Sequence, residues 1–305
     1  MRALKYLFLF AAVISFALMQ GDDKAPHHPR VRYHFEVRKD LSTYFTNSDE
    51  IIEVIRQALV RKDERIVISY SSTKDSMADF SKIVRELFFF ALEETDKPYE
   101  GDYLSCAVGG YDLHFTRNGE SVYDYDIIIT PDYYTDEEQE QMVDKEVKRL
   151  IKSFAFDEDT TDYEKAKAVY DYIYQNVSYD IIHKKNDNYH LKATAFGALI
   201  FKAASCQGYA AAMYRLLREV GVNCRVITGY AVNEHTGEKE YHAWNIICID
   251  GRWYNADITF DVQNGGHELF LKSDKDFKGH FPDEKFMTDS FTSSHKTAEQ
   301  SYVLP

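Results

Sequence analysis

The sequence is poor in cysteine, in basic clusters and in metal-binding spacings. Its 305 residues hold 4 cysteines, too few for a dense disulfide framework, so a buried core must supply the stability. Lys and Arg total 36 against 50 Asp and Glu, and the net charge of −14, with no basic stripe, argues against nucleic acid as a partner. Neither a Cys-x-x-Cys nor a His-x-x-x-His pair occurs, so zinc has no spacing signature, and we predict no metal and no cofactor.

What is present is a globular composition with a targeting signal at its start. Arg2 and Lys5 precede a 14-residue apolar stretch from Tyr6 to Met19, which has the charge and hydropathy order of a secretory signal. A membrane-spanning helix needs roughly 18 to 20 apolar residues, so a cleaved signal is favoured over an anchor. We therefore predict a signal peptide at 1–20, a linker at 21–30, and a secreted or cell-surface protein. A membrane anchor, and membrane contact through this uncleaved segment only, is the alternative.

The region 31–134 has the pattern of a small α/β domain. Alternating apolar residues predict a strand at 31–37, and Asn47 begins a helical stripe. Further strands are predicted at 65–72, 103–117 and 122–130, with a hairpin at Asn118-Gly119. No residues in this region have catalytic spacing.

Two threonine-x-x-glutamate capping boxes open the second region, 135–305. Thr135 with Glu138 and Thr161 with Glu164 each precede an amphipathic helix. Their apolar stripes predict core packing.

Cys206 lies at a position where a thiol gains reactivity. Ser205 is a candidate N-cap, and the helix it begins runs on to Gly221. Helix N-termini and neighbouring imidazolium groups favour the thiolate form of cysteine, which is a nucleophile. Gly208, one turn into the helix, either leaves room for a substrate or marks close helix packing.

A predicted hairpin brings a histidine and an aspartate together. The dipeptide Asp250-Gly251 favours a two-residue type I′ turn, which pairs residue 249 with 252 and fixes the later pairs. A strand is predicted from Arg252 to Thr259, so that Asp257 faces Trp244 and Thr259 faces His242. His242 and Asp257 would then be diagonal neighbours on one face of the sheet, within reach of each other.

These three residues have the chemistry of a nucleophile, a base and an orienting group. In this hypothesis Cys206 attacks an acyl carbonyl, His242 moves the proton, and Asp257 fixes the imidazole tautomer. Backbone N–H groups at the helix start would hold the oxyanion. Taken singly, each residue also has a structural interpretation: a buried thiol, a core histidine and a turn-capping carboxylate.

The motifs also resemble a known family. The segments Cys206-Gln207-Gly208-Tyr209, His242-Ala243-Trp244-Asn245 and Trp253-Tyr254-Asn255-Ala256-Asp257 are similar to the bacterial transglutaminase-like superfamily, over roughly residues 135 to 285. The resemblance implies an α+β fold with a papain-like core, in which a cysteine-bearing helix packs on an antiparallel sheet. In the sequence this core follows an N-terminal α/β domain. It also implies Cys206, His242 and Asp257 as the triad. Gln207, Gly208, Tyr209 and Trp244 are then the predicted substrate cleft.

The resemblance does not select one reaction, because the superfamily includes peptidases, amidases, transglutaminases and inactive scaffolds. We predict a thiol enzyme that acts on amide bonds of peptides or proteins, with a peptidase or amidase favoured. Glutamine cross-linking or deamidation is one alternative, and a catalytically silent binding module is another. The expected partner is a peptide or protein substrate, such as one at the cell surface.

Overall fold

The computed structural model describes residues 33–34, 48–72, 77–232, 237 and 239–303. The predicted signal peptide 1–20 and linker 21–30 lie outside these residues, as does most of the predicted strand 31–37. The chain forms two units, one of Met1–Glu93 with Val108–Tyr133, and one of Glu94–Ala107 with Tyr134–Pro305. The segment Glu94–Ala107 thus belongs to the second unit. The domain boundary predicted from the sequence, at residue 134, assigns this segment to the N-terminal domain.

The first unit contains a four-stranded sheet with the order β1-β2-β4-β3. The strand β1 is parallel to β2, and the other neighbouring strands are antiparallel. Along β4 the buried positions Tyr125, Ile127 and Ile129 alternate with more exposed ones, as in a sheet with one covered face. The elements of this unit are β1 (Tyr33–His34), α1 (Ser48–Val60), β2 (Ile66–Ser72), α2 (Met77–Ala91), β3 (Val108–Asn118) and β4 (Tyr123–Tyr133).

Residues 102–107 form a helix, so the predicted strand 103–117 is wrong in its first part. The helix α3 (Asp102–Ala107) buries Tyr103, Leu104, Cys106 and Ala107. Burial at these positions fits the spacing of one helical turn and not the alternation of a strand. A short apolar run has no distinct period, which is why the sequence pattern did not separate the two structures.

Helix α4 (Glu137–Phe154) begins with a different cap from the one predicted. Asp136 is the N-cap residue, because its carboxylate accepts the backbone N–H of Gln139 at 2.8 Å. The Gln139 side chain accepts the Asp136 N–H in return, at 3.0 Å. Thr135 lies outside the helix and is buried. The prediction of a capping box that starts at Thr135 is therefore wrong by one residue, with a carboxylate in place of the hydroxyl.

Helix α5 (Asp162–Asn176) has the predicted cap. The Thr161 hydroxyl accepts the backbone N–H of Glu164, and the Glu164 side chain accepts the Thr161 N–H. The predicted stripe packs into the core of the second unit through Ala166, Val169, Tyr170 and Ile173.

The second unit contains an antiparallel sheet with the order β10-β7-β8-β9. Its strands are β7 (Cys224–Val232), β8 (Lys239–Ile249), β9 (Arg252–Ala256) and β10 (His280–Pro282). The other elements are β5 (Ser178–Tyr179), which pairs with β6 (Ala203–Ala204), and α6 (Cys206–Glu219), α7 (Ile258–Asn264) and α8 (Asp289–Ser294).

Helix α6 carries the cysteine and packs against this sheet. Its buried residues form one core with residues of α4, α5, β7 and β8. The Asn245 side chain of β8 donates to the Ala210 carbonyl of α6 at 3.1 Å, which joins helix and sheet by a buried hydrogen bond. The predicted α+β class, with a cysteine-bearing helix on an antiparallel sheet, is confirmed. None of the helices within the described residues has the length and hydropathy to span a bilayer.

Candidate active site

Cys206 is the first residue of α6, as predicted, and is partly exposed. Ser205 is the N-cap residue, but its hydroxyl makes no cap hydrogen bond and donates instead to the Lys192 carbonyl at 3.3 Å. The prediction of Ser205 as the N-cap residue is confirmed, although its side chain bonds outside the helix. The first N–H groups of α6 consequently donate no hydrogen bond to the N-cap side chain.

Gly208 is required for packing at this helix start. A Cβ at this position would lie 2.5 Å from the Lys192 carbonyl oxygen and 3.0 Å from that of Thr194. Both are backbone atoms, which cannot move aside as a flexible side chain would. Of the two interpretations of Gly208, the structure supports close packing.

The predicted hairpin sets the position of His242. Asp250 and Gly251 have φ angles of +52° and +75°, as a type I′ turn requires, and Ile249 pairs with Arg252. The predicted register holds up to the pair of Asn245 with Ala256, where β9 ends.

Beyond Ala256 the chain departs from the prediction. Asp257 leaves the strand and becomes the N-cap of α7, where its Oδ1 accepts the Phe260 N–H at 3.1 Å. The ladder pairs predicted for Asp257 with Trp244 and for Thr259 with His242 are therefore wrong, because a side chain that caps a helix ends the strand. Asp257 nevertheless lies within hydrogen-bond distance of His242, as predicted.

His242 and Asp257 form a buried pair. The Nε2 of His242 lies 2.8 Å from Oδ2 of Asp257 and, facing a carboxylate, acts as the donor. Their residues are 3% and 0% exposed, so water does not compete for this hydrogen bond. A buried carboxylate needs such donors, because an unpaired buried charge is very costly.

The Cys206 sulfur is a second group that affects the pKa of the His242 imidazole. Burial alone would lower the pKa of His242, but the charges of Asp257 and Cys206, and hydrogen bonds with both, raise it well above its ordinary value. His242 therefore holds its proton through neutral pH. Because Nε2 is used by Asp257, Nδ1 is the ring nitrogen left for the sulfur.

A second histidine contacts the same carboxylate, and sequence reasoning missed it. The Nε2 of His280 lies 2.9 Å from Oδ2 of Asp257, and its side chain is 3% exposed. Burial alone would raise the pKa of Asp257, yet the charges of His242 and His280 and their hydrogen bonds hold it below the usual range. The strand that carries His280 has only three residues, and a lone histidine there gives no pattern that could have identified it.

Asp261 supports the segment that carries the carboxylate. It accepts the Leu269 N–H at 3.0 Å and the buried hydroxyl of Tyr170, while the Asp257 N–H donates to the Leu269 carbonyl at 3.0 Å. Burial raises the pKa of Asp261 to about 6, although its hydrogen bonds oppose that rise. These contacts hold the turn from which Asp257 reaches His242.

The predicted cleft residues have different surroundings. Tyr209 is 0% exposed and its hydroxyl donates to the Val177 carbonyl at 2.7 Å, while Trp244 is 2% exposed. Both rings belong to the core and not to an open cleft. Gln207 is partly exposed, and its amide donates to the Cys106 carbonyl at 3.1 Å. Burial, and then the charge of Cys206, raise the pKa of Tyr179.

His242, Asp257 and His280 are also the residues whose donor types could hold a metal ion. Their nearest ligand atoms lie within 4.8 Å of one another. In this structure each of these atoms is already engaged in the hydrogen bonds described above. The arrangement is thus satisfied as a proton-sharing group of two imidazoles and one carboxylate.

One segment of the chain is similar to a known family. Residues 152–258 match the family model of the transglutaminase-like superfamily, so the resemblance predicted from the motifs is confirmed for this segment. The chain is 33% identical over 107 residues to the kyphoscoliosis peptidase of Homo sapiens and 31% identical to that of Mus musculus. The match covers 33% of this chain and 16% of each peptidase.

A solved structure of a TGase is also similar to this chain. The two have 18% sequence identity and a TM-score of 0.37, over 72% of this chain and 58% of the other.

Proposed function

We propose that this protein is a cysteine-dependent enzyme that cleaves amide bonds of peptides or proteins through an acyl-enzyme. The observation that carries the proposal is the buried contact of His242 with Asp257, at 2.8 Å, beside a cysteine at a helix start. A histidine held in one tautomer by a carboxylate is what a thiol nucleophile requires for proton transfer.

In the first step the Cys206 sulfur attacks the amide carbonyl carbon, and the oxygen becomes negatively charged. N–H groups at the start of α6, left without a side-chain cap, are suited to hold that charge. His242 gives a proton from Nδ1 to the amide nitrogen, the C–N bond breaks, and the amine leaves. The acyl group remains on the sulfur as a thioester.

In the second step water is the acceptor. His242, now neutral at Nδ1, takes a proton from the water as its oxygen attacks the thioester carbonyl. The C–S bond breaks, the carboxylic acid leaves, and the sulfur returns to its starting state. Asp257 keeps Nε2–H hydrogen-bonded throughout, so the same ring nitrogen performs both transfers.

The direct test is thiol labelling followed by a substrate screen. Iodoacetamide labelling, read by mass spectrometry, is compared in the wild type, Cys206→Ala and Cys248→Ala. Cys248 is a matched control, since it is also a free and partly exposed thiol of the second unit. A library of peptides and amines then identifies the products.

We expect fast labelling at Cys206 in the wild type and in Cys248→Ala, and amide hydrolysis in both. Cys206→Ala should lose the hydrolysis. Isopeptide products formed with the added amines would replace hydrolysis by amine transfer. An unreactive Cys206 and no amide turnover would overturn the proposal in favour of a binding module.

We also propose that the protein is secreted and that its substrates are extracellular or at the cell surface. The support is the charged, then apolar, then polar order of residues 1–20. Intact-mass measurement of the protein from culture medium and from membranes tests this. A shortened N-terminus in the medium is expected, and a full-length protein confined to membranes would contradict it.

A further inference from the structure

His280 occupies a fixed place at the edge of the second sheet. The strand β10 pairs with β7, with His280 opposite Ala231, and the Val232 N–H donates to the Gly279 carbonyl at 2.8 Å. His242 pairs with Gly229 on β8 and β7. Because 229 and 231 are two residues apart, His242 and His280 lie on the same face of the sheet.

Both ring nitrogens of His280 face atoms that can only accept hydrogen bonds. Nε2 lies 2.9 Å from the Asp257 carboxylate, and Nδ1 lies 3.0 Å from the Lys278 carbonyl oxygen. A neutral imidazole has one donor and one acceptor, so it satisfies only one of these contacts. The contact of Nε2 with a carboxylate, which can only accept, requires the ring proton on Nε2.

Aromatic neighbours hold this ring in place. Phe277 stacks on it with a centroid distance of 3.8 Å and an interplanar angle of 24°. Trp244 meets it edge to face at 5.1 Å and 70°. The orientation of His280 is therefore set by packing as well as by hydrogen bonds.

The Asp257 carboxylate is in turn fixed by three donors. Oδ2 accepts from both imidazoles, at 2.8 Å from His242 and 2.9 Å from His280. Oδ1 accepts the Phe260 N–H at 3.1 Å. Without His280, Oδ2 would keep a single ring donor, and rotation of the carboxylate would be opposed only by its bonds to His242 and Phe260.

We propose that His280 is a positioning residue that donates from Nε2 to Asp257 and thereby fixes the carboxylate against His242. This proposal rests on the proposed function. It adds His280 as a fourth residue of the candidate site, beside Cys206, His242 and Asp257. The groups that face His242 are then Cys206 and Asp257, and His280 donates to the same carboxylate oxygen as His242.

The test distinguishes the effect of losing the N–H donor from the effect of losing the volume of the imidazole ring. His280→Gln keeps an N–H donor of similar reach, while His280→Leu removes it and keeps an apolar side chain. His267→Gln is the matched control, because His267 also lies near a carboxylate, 3.3 Å from Asp171, but is exposed. The readout is the rate of Cys206 alkylation by iodoacetamide at pH 7, which requires no known substrate.

We expect His280→Leu to lower this rate by about ten-fold, within the effect of an ångström-scale misplacement. His280→Gln should stay within about two-fold of the wild type, and His267→Gln should not differ from it. In an Asp257→Ala background, His280→Leu should have no further effect, because its contribution passes through that carboxylate. An equal loss in both backgrounds, or equal losses in Gln and Leu, would overturn the proposal.

Nitrogen-15 NMR of histidine-labelled protein keeps the proposal testable if His280→Leu does not fold. The His280 signals, identified by their absence in His280→Gln, should show a hydrogen-bonded proton on Nε2. A lone pair on Nε2 would contradict the proposal. A wild type whose Cys206 resists iodoacetamide contradicts the proposed function, whereas a reactive wild type matched by His280→Leu contradicts only the role of His280.

Discussion

The two units bury different kinds of side chain. In the first unit the core is apolar, with Ile55, Ile66 and Ile127 at most 1% exposed. Among the described residues, every buried polar or charged side chain belongs to the second unit, namely Glu100, Thr135, Asp180, Thr194, Arg215, Thr228, His242, Asn245, Asn255, Asp257, Thr259, Asp261 and Ser273.

The buried polar side chains of the second unit need hydrogen-bond partners. A buried polar group destabilises a protein unless a partner satisfies it. In the second unit the partners are specific, as in the contact of His242 with Asp257 and that of Asn245 with the Ala210 carbonyl. Apolar side chains fill the core of the first unit, whereas the core of the second unit also depends on side-chain hydrogen bonds that position the candidate site.

The largest expected effect is at the centre of the polar network. Asp257→Ala removes the acceptor that holds the His242 tautomer, so amide hydrolysis should fall by about 10²- to 10⁴-fold. Asp171→Ala is the control, because Asp171 is also paired with a histidine, at 3.3 Å, but is partly exposed. Steady-state rates on a substrate from the screen measure both variants. Equal losses in the two would show that the site does not depend on Asp257.

A core substitution in the first unit should lower the stability of the protein and leave the reactivity of Cys206 unchanged. Ile127→Ala leaves a cavity in an apolar core and should lower the free energy of unfolding by about 2 to 5 kcal/mol. No residue of the candidate site lies in this unit, so the alkylation rate of Cys206 in the folded protein should not change. Urea unfolding and iodoacetamide labelling measure the two quantities. A parallel fall in reactivity would remove the distinction between the units.

The pH dependence of stability should also distinguish the polar unit. Burial, and then the charge of Asp102, raise the pKa of Glu94 to about 7 from its ordinary value of 4.5. The folded state therefore binds this proton more tightly than the unfolded state. The free energy of unfolding should fall as the pH rises from about 4.5 to about 7, by about 3 kcal/mol, and then level off.

Glu94→Gln should flatten that slope, measured by urea unfolding at several pH values between pH 5 and pH 8. Asp96→Asn, at an exposed position on the same segment, is the control and should keep the slope. Below about pH 6 Asp261, with its own raised pKa, adds a slope of the same sign, so the decisive range is above pH 6. A slope that survives there in Glu94→Gln would assign the effect to another group.

The smallest effect compares the two hairpins. Gly251 has a φ of +75° and open space where a Cβ would lie, whereas at Gly119, with a φ of +91°, a Cβ would lie 2.0 Å from the Val122 carbonyl oxygen. Gly251→Ala should lower the free energy of unfolding by about 1 kcal/mol through backbone strain alone. Gly119→Ala should cost more, because the clash adds to the strain. Thermal unfolding of both variants decides the order.

Local signals in the sequence predicted the parts of the site that depend on turns and helix ends. The Asp250-Gly251 turn was enough to place His242 near Asp257, and Cys206 begins its helix as expected. The same reasoning extended β9 too far, because a capping carboxylate ends a strand without changing its apolar pattern. His280 could not be predicted, since pairing of a three-residue strand across a long connection leaves no periodic trace.

The most direct test of the account is the pH dependence of Cys206 alkylation in the wild type and in His242→Ala. If the imidazole keeps the sulfur reactive, the wild-type rate should change less between about pH 6 and about pH 8 than the rate of the variant does, because His242 keeps its proton. In His242→Ala the rate at pH 7 should be at least about ten-fold lower and should rise steadily with pH, as for an ordinary thiol. Identical profiles in the two proteins would contradict the claim that His242 activates Cys206.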